Sequence, residues 1–501
     1  MRCLLAVLLV LACGCAHVPA PPGGDSGFLE LEGEHYLLLT DLPEPDARAA
    51  LVSLEDARGA LMEASWRGRS LRQEKLRVLE LAWSARLHEF ASPSMSAFYQ
   101  RVDLFDEPLL VMTADRGTAG QAILQHELAH ALHGSFLPRN PRWFFEGAAC
   151  YLETLRYDAA AERYRVGEPS PERLEFLRVH PGTDYAHVLS TPTREAVLMA
   201  GQDGYAFQSA AWMIVFYLAN ERGPALDDYV RRRARGEPAQ SAFAAAFGGL
   251  AAEELSRAVE EYRRALQESF DGARPAPYRV REVRSPPWRG EVKVRPMPAA
   301  EVEALRAELF FLSPGLPREK ARLLQARAAL ERALTLDPLN PLALAVQAAL
   351  AEGRDGSPPL EQIRAAARKH GEDFRAQMLL ALAVGADRPD ERRAALARAA
   401  ELAPENATVL NAFAWHDLTH GRAAEAVAVA RKAVDLAPGN ADVLDTLASA
   451  VALSSRCEEA TRLEEQAVEL SAEHLGVERR RRLLDRLDAM HAGCAHIRFE
   501  E

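Results

Sequence analysis

Between residues 118 and 157 the apolar positions fall into two helical stripes separated by a short break. Ile123, Leu124, Leu128, Ala129 and Leu132 recur at the helical period, and 121–133 contains neither Pro nor Gly. Thr118 suits an N-cap and Gly134 a C-terminal stop. Asn140-Pro141 then reads as cap plus first helical residue and opens a second helix over 142–157. A strand over 34–42 enters this region, and helical pattern returns at 205–212, 242–247 and 253–266.

Farther along, the pattern changes character. A Pro-rich stretch over 271–300, with Pro286-Pro287 near its centre, reads as a linker. Beyond it Leu402-Ala403-Pro404 recurs as Leu436-Ala437-Pro438 and Asn406 as Asn440, an offset of 34 residues. That period marks tetratricopeptide repeats. Leu410, Ala414, Ala426, Ala430 and Ala433 fall where such a repeat packs small and apolar side chains. Ala326, Leu330, Ala333 and Pro338 fit an earlier second helix, a degenerate copy fits 339–371, and Leu444, Ala448, Ala460 and Ala467 a later unit. The expected organisation is therefore a domain over 28–270, a linker over 271–300, repeats over 301–475 and a terminal helix and tail over 476–501. Stacked helix pairs form a solenoid whose concave face suits a protein partner.

The chemistry sits in the first stripe. Residues 126–130 read His-Glu-Leu-Ala-His, and positions i and i+4 of a helix lie one above the other. His126 and His130 thus offer two imidazoles to one ion, while Glu127 is placed to take a proton from water at that ion. Glu146 lies in an apolar helix on the flank of Trp143, Phe144 and Phe145, where an unpaired carboxylate is costly to bury. Antiparallel packing of the two helices would return Glu146 to the His pair, completing two His and one Glu with a fourth position open, the catalytic zinc pattern. His133 is seven residues from His126, about 10 Å along a helix axis, too far to join both neighbours. Cys150 reads as a small buried side chain.

His-Glu-x-x-His followed within one helical hairpin by a ligand Glu resembles the gluzincin metallopeptidases, thermolysin among them. Pro-Arg-Trp-Phe-Phe-Glu-Gly-Ala-Ala is similar, more narrowly, to bacterial peptidase-like domains, over about residues 28–270. The resemblance implies an α+β metallopeptidase domain, a small sheet plus helices, making the whole chain mainly α with its solenoid. It implies Zn2+ held by His126, His130 and Glu146, Glu127 as general base, and a peptide or protein as substrate. Tyr205, at the start of a long apolar helix, matches a Tyr of those relatives and is the candidate oxyanion donor; His180 and His187 are weaker ones. Gluzincins commonly carry an acidic residue four after the ligand Glu, where it orients a ligating His. This chain has Cys150 there, and Glu153, seven on, is the substitute on the same face.

The leader adds a location. Met1-Arg2, an apolar run over 3–12 and Ala12-Cys13-Gly14-Cys15 resemble a bacterial lipoprotein signal over 1–15, with Cys13 or Cys15 lipidated. Residues 16–27 read as a flexible tether. The expected place is the bacterial cell envelope, lipid-anchored on the periplasmic or outer-membrane side, or else secreted; the lipid would be the only membrane contact. Cys457 and Cys494 are candidates for a disulfide there. At 501 residues, 48% hydrophobic and 26% charged, the chain suits two or three folded domains. Its net charge of −12 argues against nucleic-acid binding. The reading is a zinc metallopeptidase with an interaction array; the alternative is a catalytically inactive scaffold lipoprotein whose metal site is vestigial.

Overall fold

The structure, a computed structural model, describes residues 25–494 apart from 66–74, 92–94, 103–104, 106, 115–116, 137–139, 192–200, 313–318, 352–356, 386 and 472–476. The lipoprotein signal, with Cys13 and Cys15, lies outside the described residues.

Six strands form one sheet: β1 (Asp25–Glu32), β2 (Tyr36–Thr40), β3 (Leu76–Leu81), β4 (Ala97–Val102), β5 (Glu107–Thr113) and β9 (Lys293–Pro298), in the order β4-β5-β3-β2-β1-β9. β2, β3 and β5 run parallel to their neighbours in that series, and the outer pairs are antiparallel. A parallel pair needs a crossover, supplied between β2 and β3 by α1 (Glu44–Ser65). Each central strand buries consecutive residues on opposite faces, Leu38 and Leu39, Val78 and Leu79, Leu110 and Val111. Both faces therefore need cover.

One face is covered by the helices of the first domain. A short α2 (Ser84–Leu87) follows β3; then come α3 (Thr118–Phe136), α4 (Arg142–Leu152), α5 (Pro171–Val179), α6 (Tyr185–Ser190), α7 (Gly201–Glu221), α8 (Gly223–Arg233), α9 (Ala239–Phe247) and α10 (Ala252–Phe270). Strands β6 (Arg156–Asp158), β7 (Arg163–Val166) and β8 (Arg281–Val283) make a second, small sheet.

The other face is covered by α11 (Ala299–Leu312) and α12 (Glu319–Leu336). Val302, Leu305, Leu309 and Phe310 of α11 pack on Leu79, Leu81, Leu109 and Val111. The stretch expected to be a linker is therefore part of the fold: β8 pairs with β7 and β9 with β1. Pro296 and Pro298 are tolerated in β9 because it is an edge strand, and the other prolines of the stretch lie outside strands. The expected start of the repeats at 301 likewise falls inside a continuous core, and the expected tether gives way to strand at Asp25. Two helix ends also differ. α3 continues past Gly134, and α4 stops at Leu152 because the chain enters β6 four residues later. Asn140 does not cap α4; Pro141 occupies that place, and the buried Asn140 side chain accepts a hydrogen bond from Arg233.

The rest is an array of antiparallel helices: α13 (Pro341–Ala351), α14 (Leu360–Lys369), α15 (Phe374–Val384), α16 (Pro389–Leu402), α17 (Ala407–Thr419), α18 (Ala423–Leu436), α19 (Ala441–Leu453), α20 (Cys457–Ser471) and α21 (Val477–His491). Asn340, Asp373, Asn406 and Asn440 each cap the first helix of a pair through a side-chain oxygen. Ala326, Ala333, Ala399, Ala426, Ala433, Ala460 and Ala467 are fully buried, the close approach that the 34-residue pattern requires. α21 takes the first-helix place of a further unit, and a Cys457–Cys494 disulfide ties its end to the start of α20.

The array is docked on the sheet through charge. Arg375 of α15 grips the Glu107 carboxylate with two bonds of 2.6 Å, and Arg77 reaches Glu107 at 3.6 Å and Glu308 at 3.1 Å. Phe105 and Phe374 pack edge to face beside them. Among the described residues no helix is long and apolar enough to cross a membrane.

Candidate metal centre

α3 and α4 pack as a hairpin, and the packing brings the predicted residues together. The Nε2 atoms of His126 and His130 are 3.0 Å apart. Glu146 turns one carboxylate oxygen to each: Oε2 is 3.6 Å from His126 Nε2 and Oε1 is 3.7 Å from His130 Nε2. His130 is fixed by stacking on Phe145, with ring centroids 4.2 Å apart. Its Nδ1 is buried without a hydrogen-bond partner among the described residues.

The carboxylate is held from outside by one ion pair and one hydrogen bond, from residues the sequence pattern does not single out. Arg142, one turn earlier on α4, places Nη2 2.5 Å from Oε1, and Gln208 of α7 donates to Oε2 at 2.9 Å. Burial alone would raise the Glu146 carboxyl, but His130, His126 and Arg142 hold it well below the usual carboxylate range. His130 is driven the other way, kept neutral chiefly by burial.

Behind His126 stands Glu153, at the C-terminal end of α4, with Oε2 3.0 Å from His126 Nδ1. Arg173 of α5 grips the same carboxylate at 2.9 and 3.1 Å. Burial opposes its ionisation, and His126 with Arg173 outweighs it, so Glu153 is lowered. A carboxylate behind a ligating imidazole fixes its tautomer. Cys150 is fully buried with Sγ 3.9 Å from His126 Nδ1, and burial pushes its thiol up.

Glu127 keeps some residue exposure, yet desolvation pushes its carboxyl above the usual range, with Glu146 adding to the rise and His126 opposing it. The Tyr99 backbone N–H of edge strand β4 donates to this carboxylate. His133 is fully buried against Phe144 and Phe145 and pushed down to about 3 by burial, a core position away from the ligand cluster.

Tyr205, the candidate oxyanion donor, is placed by its ring contacts. Its ring packs edge to face on Phe176 and under the Arg173 guanidinium at 5.3 Å, on the Glu153 side of His126. The α7 side chain that touches a candidate ligand is Gln208, one turn on. His180 and His187 are exposed, with His180 bonded to Phe176 O and Gln202.

The donor set fits zinc. With bonds of about 2.1 Å, the edges of a tetrahedron around the ion are about 3.4 Å; here the two imidazole nitrogens are 3.0 Å apart, and one ligand atom from each of the three residues lies within 4.8 Å of the others. Two imidazoles and one carboxylate are ordinary zinc donors, and Glu146 Oε1, which faces His130 Nε2, is buried with no hydrogen-bond partner among the described residues.

No family model and no curated protein matches this chain. Solved structures match part of it. A mutant form of MamA is 21% identical over 34% of this chain and 95% of its own, with a TM-score of 0.28. A thermophilic TPR protein of Thermus thermophilus is 17% identical over 38% of this chain and 99% of its own, at 0.28. PilW, titled a widely conserved type IV pilus biogenesis factor, is 17% identical over 38% of this chain and 89% of its own, at 0.30. The tetratricopeptide-like character of the array rests on its own period, caps and buried alanines.

Proposed function

We propose that the chain is a zinc-dependent metallopeptidase carrying a helical-repeat array for a protein partner, lipid-anchored at a bacterial envelope membrane. The observation that carries this reading is the convergence of His126, His130 and Glu146, whose ligand atoms lie within 4.8 Å of one another, with Glu127 beside them. His126, His130 and Glu146 would hold the ion. When bound, zinc would supply a Lewis acid that polarises a peptide carbonyl and acidifies water.

The residues of the chain do the rest. Glu153, anchored by Arg173, keeps His126 Nδ1 occupied, so Nε2 faces the cluster. Glu127 takes a proton from the attacking water and passes it to the leaving amine. Its raised pKa brings it nearer that double duty than an ordinary glutamate. The Cys457–Cys494 disulfide supports an oxidising, extracytoplasmic setting.

A second reading, a scaffold with a vestigial metal site, is favoured by one observation. Arg142 already neutralises the Glu146 carboxylate from its own helix, without an ion. Metal content measured alongside casein proteolysis, with and without chelator, separates the two. The peptidase reading expects stoichiometric zinc, chelator-sensitive cleavage, and a Glu127→Gln protein that keeps zinc and loses cleavage. Zinc without cleavage of any unfolded substrate selects the scaffold; an active Glu127→Gln protein removes Glu127 from the mechanism.

A further inference from the structure

Each Glu146 oxygen faces one imidazole and one outer partner, an ion pair on Oε1 and a hydrogen bond on Oε2. Arg142 supplies the ion pair from the same helix; the hydrogen bond comes from α7, whose approach is unusually close. A Cβ on Gly147 would lie 2.3 Å from Ala211 O and 2.7 Å from Val215 Cγ2. Only glycine lets α7 cross α4 at that distance. Gln208, Ala211 and Val215 share one face of α7 at spacings of three and four, so the crossing at Gly147 sets Gln208 over Glu146, the preceding residue. A carboxylate offers acceptors only, hence the Gln208 amide must present its NH2 group.

We propose that Gln208 is a positioning residue for the zinc ligand Glu146, holding Oε2 toward His126, and that the Gly147 crossing exists to place it. This rests on the metallopeptidase reading. It explains why an amide stands on a largely apolar stretch of α7, with buried Phe207, Ala210, Ala211 and Trp212 around it and the Ser209 hydroxyl turned back to Tyr205 O. An apolar residue there would leave Oε2 with His126 and the carboxylate anchored from outside on its Oε1 side only.

Gln208→Met keeps the side-chain length and removes the donor. Zinc affinity of the full-length protein, read by competition with a chromophoric chelator, should fall about 10- to 100-fold, with the metal-free unfolding midpoint lowered only by the loss of one hydrogen bond. Gln208→Glu restores a donor only while the new carboxyl is protonated, so its deficit against wild type should widen as pH rises. Wild-type affinity in the Gln208→Met protein overturns the assignment. If that variant loses more stability than this without metal, the Gln208→Glu series decides, and a deficit independent of pH overturns it. A wild-type protein that takes up no zinc overturns the metal reading itself, and this inference with it.

Discussion

Replacing Gly147 by alanine adds a single methyl group where α7 crosses α4. That carbon would meet Ala211 O at 2.3 Å, the Ala211 carbonyl carbon at 2.7 Å and Val215 Cγ2 at 2.7 Å. An ordinary carbon–oxygen contact needs about 3.3 Å, so the helices must part by about 1 Å. Gln208 Nε2 is 2.9 Å from Glu146 Oε2, and that shift carries it past the ~3.5 Å at which a hydrogen bond is lost. On an exposed helix the same substitution stabilises by about 1 kcal/mol. Here overpacking costs about 1–3 kcal/mol, and the lost hydrogen bond adds about 1 kcal/mol, so the net sign is destabilising. Adding Val215→Ala relieves the side-chain contact but neither backbone contact, and recovers little. Urea unfolding of the metal-free protein measures the stability loss, and chelator competition the accompanying fall in zinc affinity. A Gly147→Ala protein as stable as wild type, with unchanged zinc affinity, would refute the close-crossing argument.

Arg375→Met strips Glu107 of its bidentate partner and leaves Arg77 at 3.6 Å; breaking a pair of this kind costs at most about 3–5 kcal/mol. Hydrogen exchange should then quicken across α15 well before α3, and uniform protection would contradict the docking role. Glu464 is fully buried beside Asp445, and burial first, Asp445 second, push it from 4.5 up to about 9 against the pull of Arg486. A raised carboxyl keeps its proton in the folded state only, so its stabilising effect is full below about pH 4.5 and falls away as pH rises toward 9. Glu464→Gln should flatten that decline and be more stable than wild type at pH 8 in urea unfolding; a parallel pH profile counts against it.

The ligand hairpin is legible in the sequence because its signals are local. His126 and His130 share a helix face by spacing alone, and Glu146 stands out as a carboxylate in apolar company. The array is legible for a related reason: a 34-residue period survives whatever fills the variable positions. Partners joined across the fold leave no such trace. Gln208 is 62 residues from Glu146, and nothing in the pattern around it marks an inward-facing amide. Arg173 looks like any basic residue of an amphipathic helix until α5 brings it to Glu153. Tyr205, one helical turn before Gln208, packs its ring on Phe176 and under Arg173. The Pro-rich stretch misleads because proline excludes central strands but not edges, and β9 lies at an edge.

The pairing of β1 with β9 sets the order of birth against the order of assembly. At ordinary rates of about 5–20 residues per second, the ribosome needs roughly 15–50 s to pass from the end of β1 at Glu32 to the start of β9 at Lys293. Throughout that interval a nascent chain carries an unpaired outer strand and a bare leucine-rich surface awaiting α11, a combination that invites aggregation. A polypeptide cut short at 270 keeps all three candidate ligands and never escapes that exposed state.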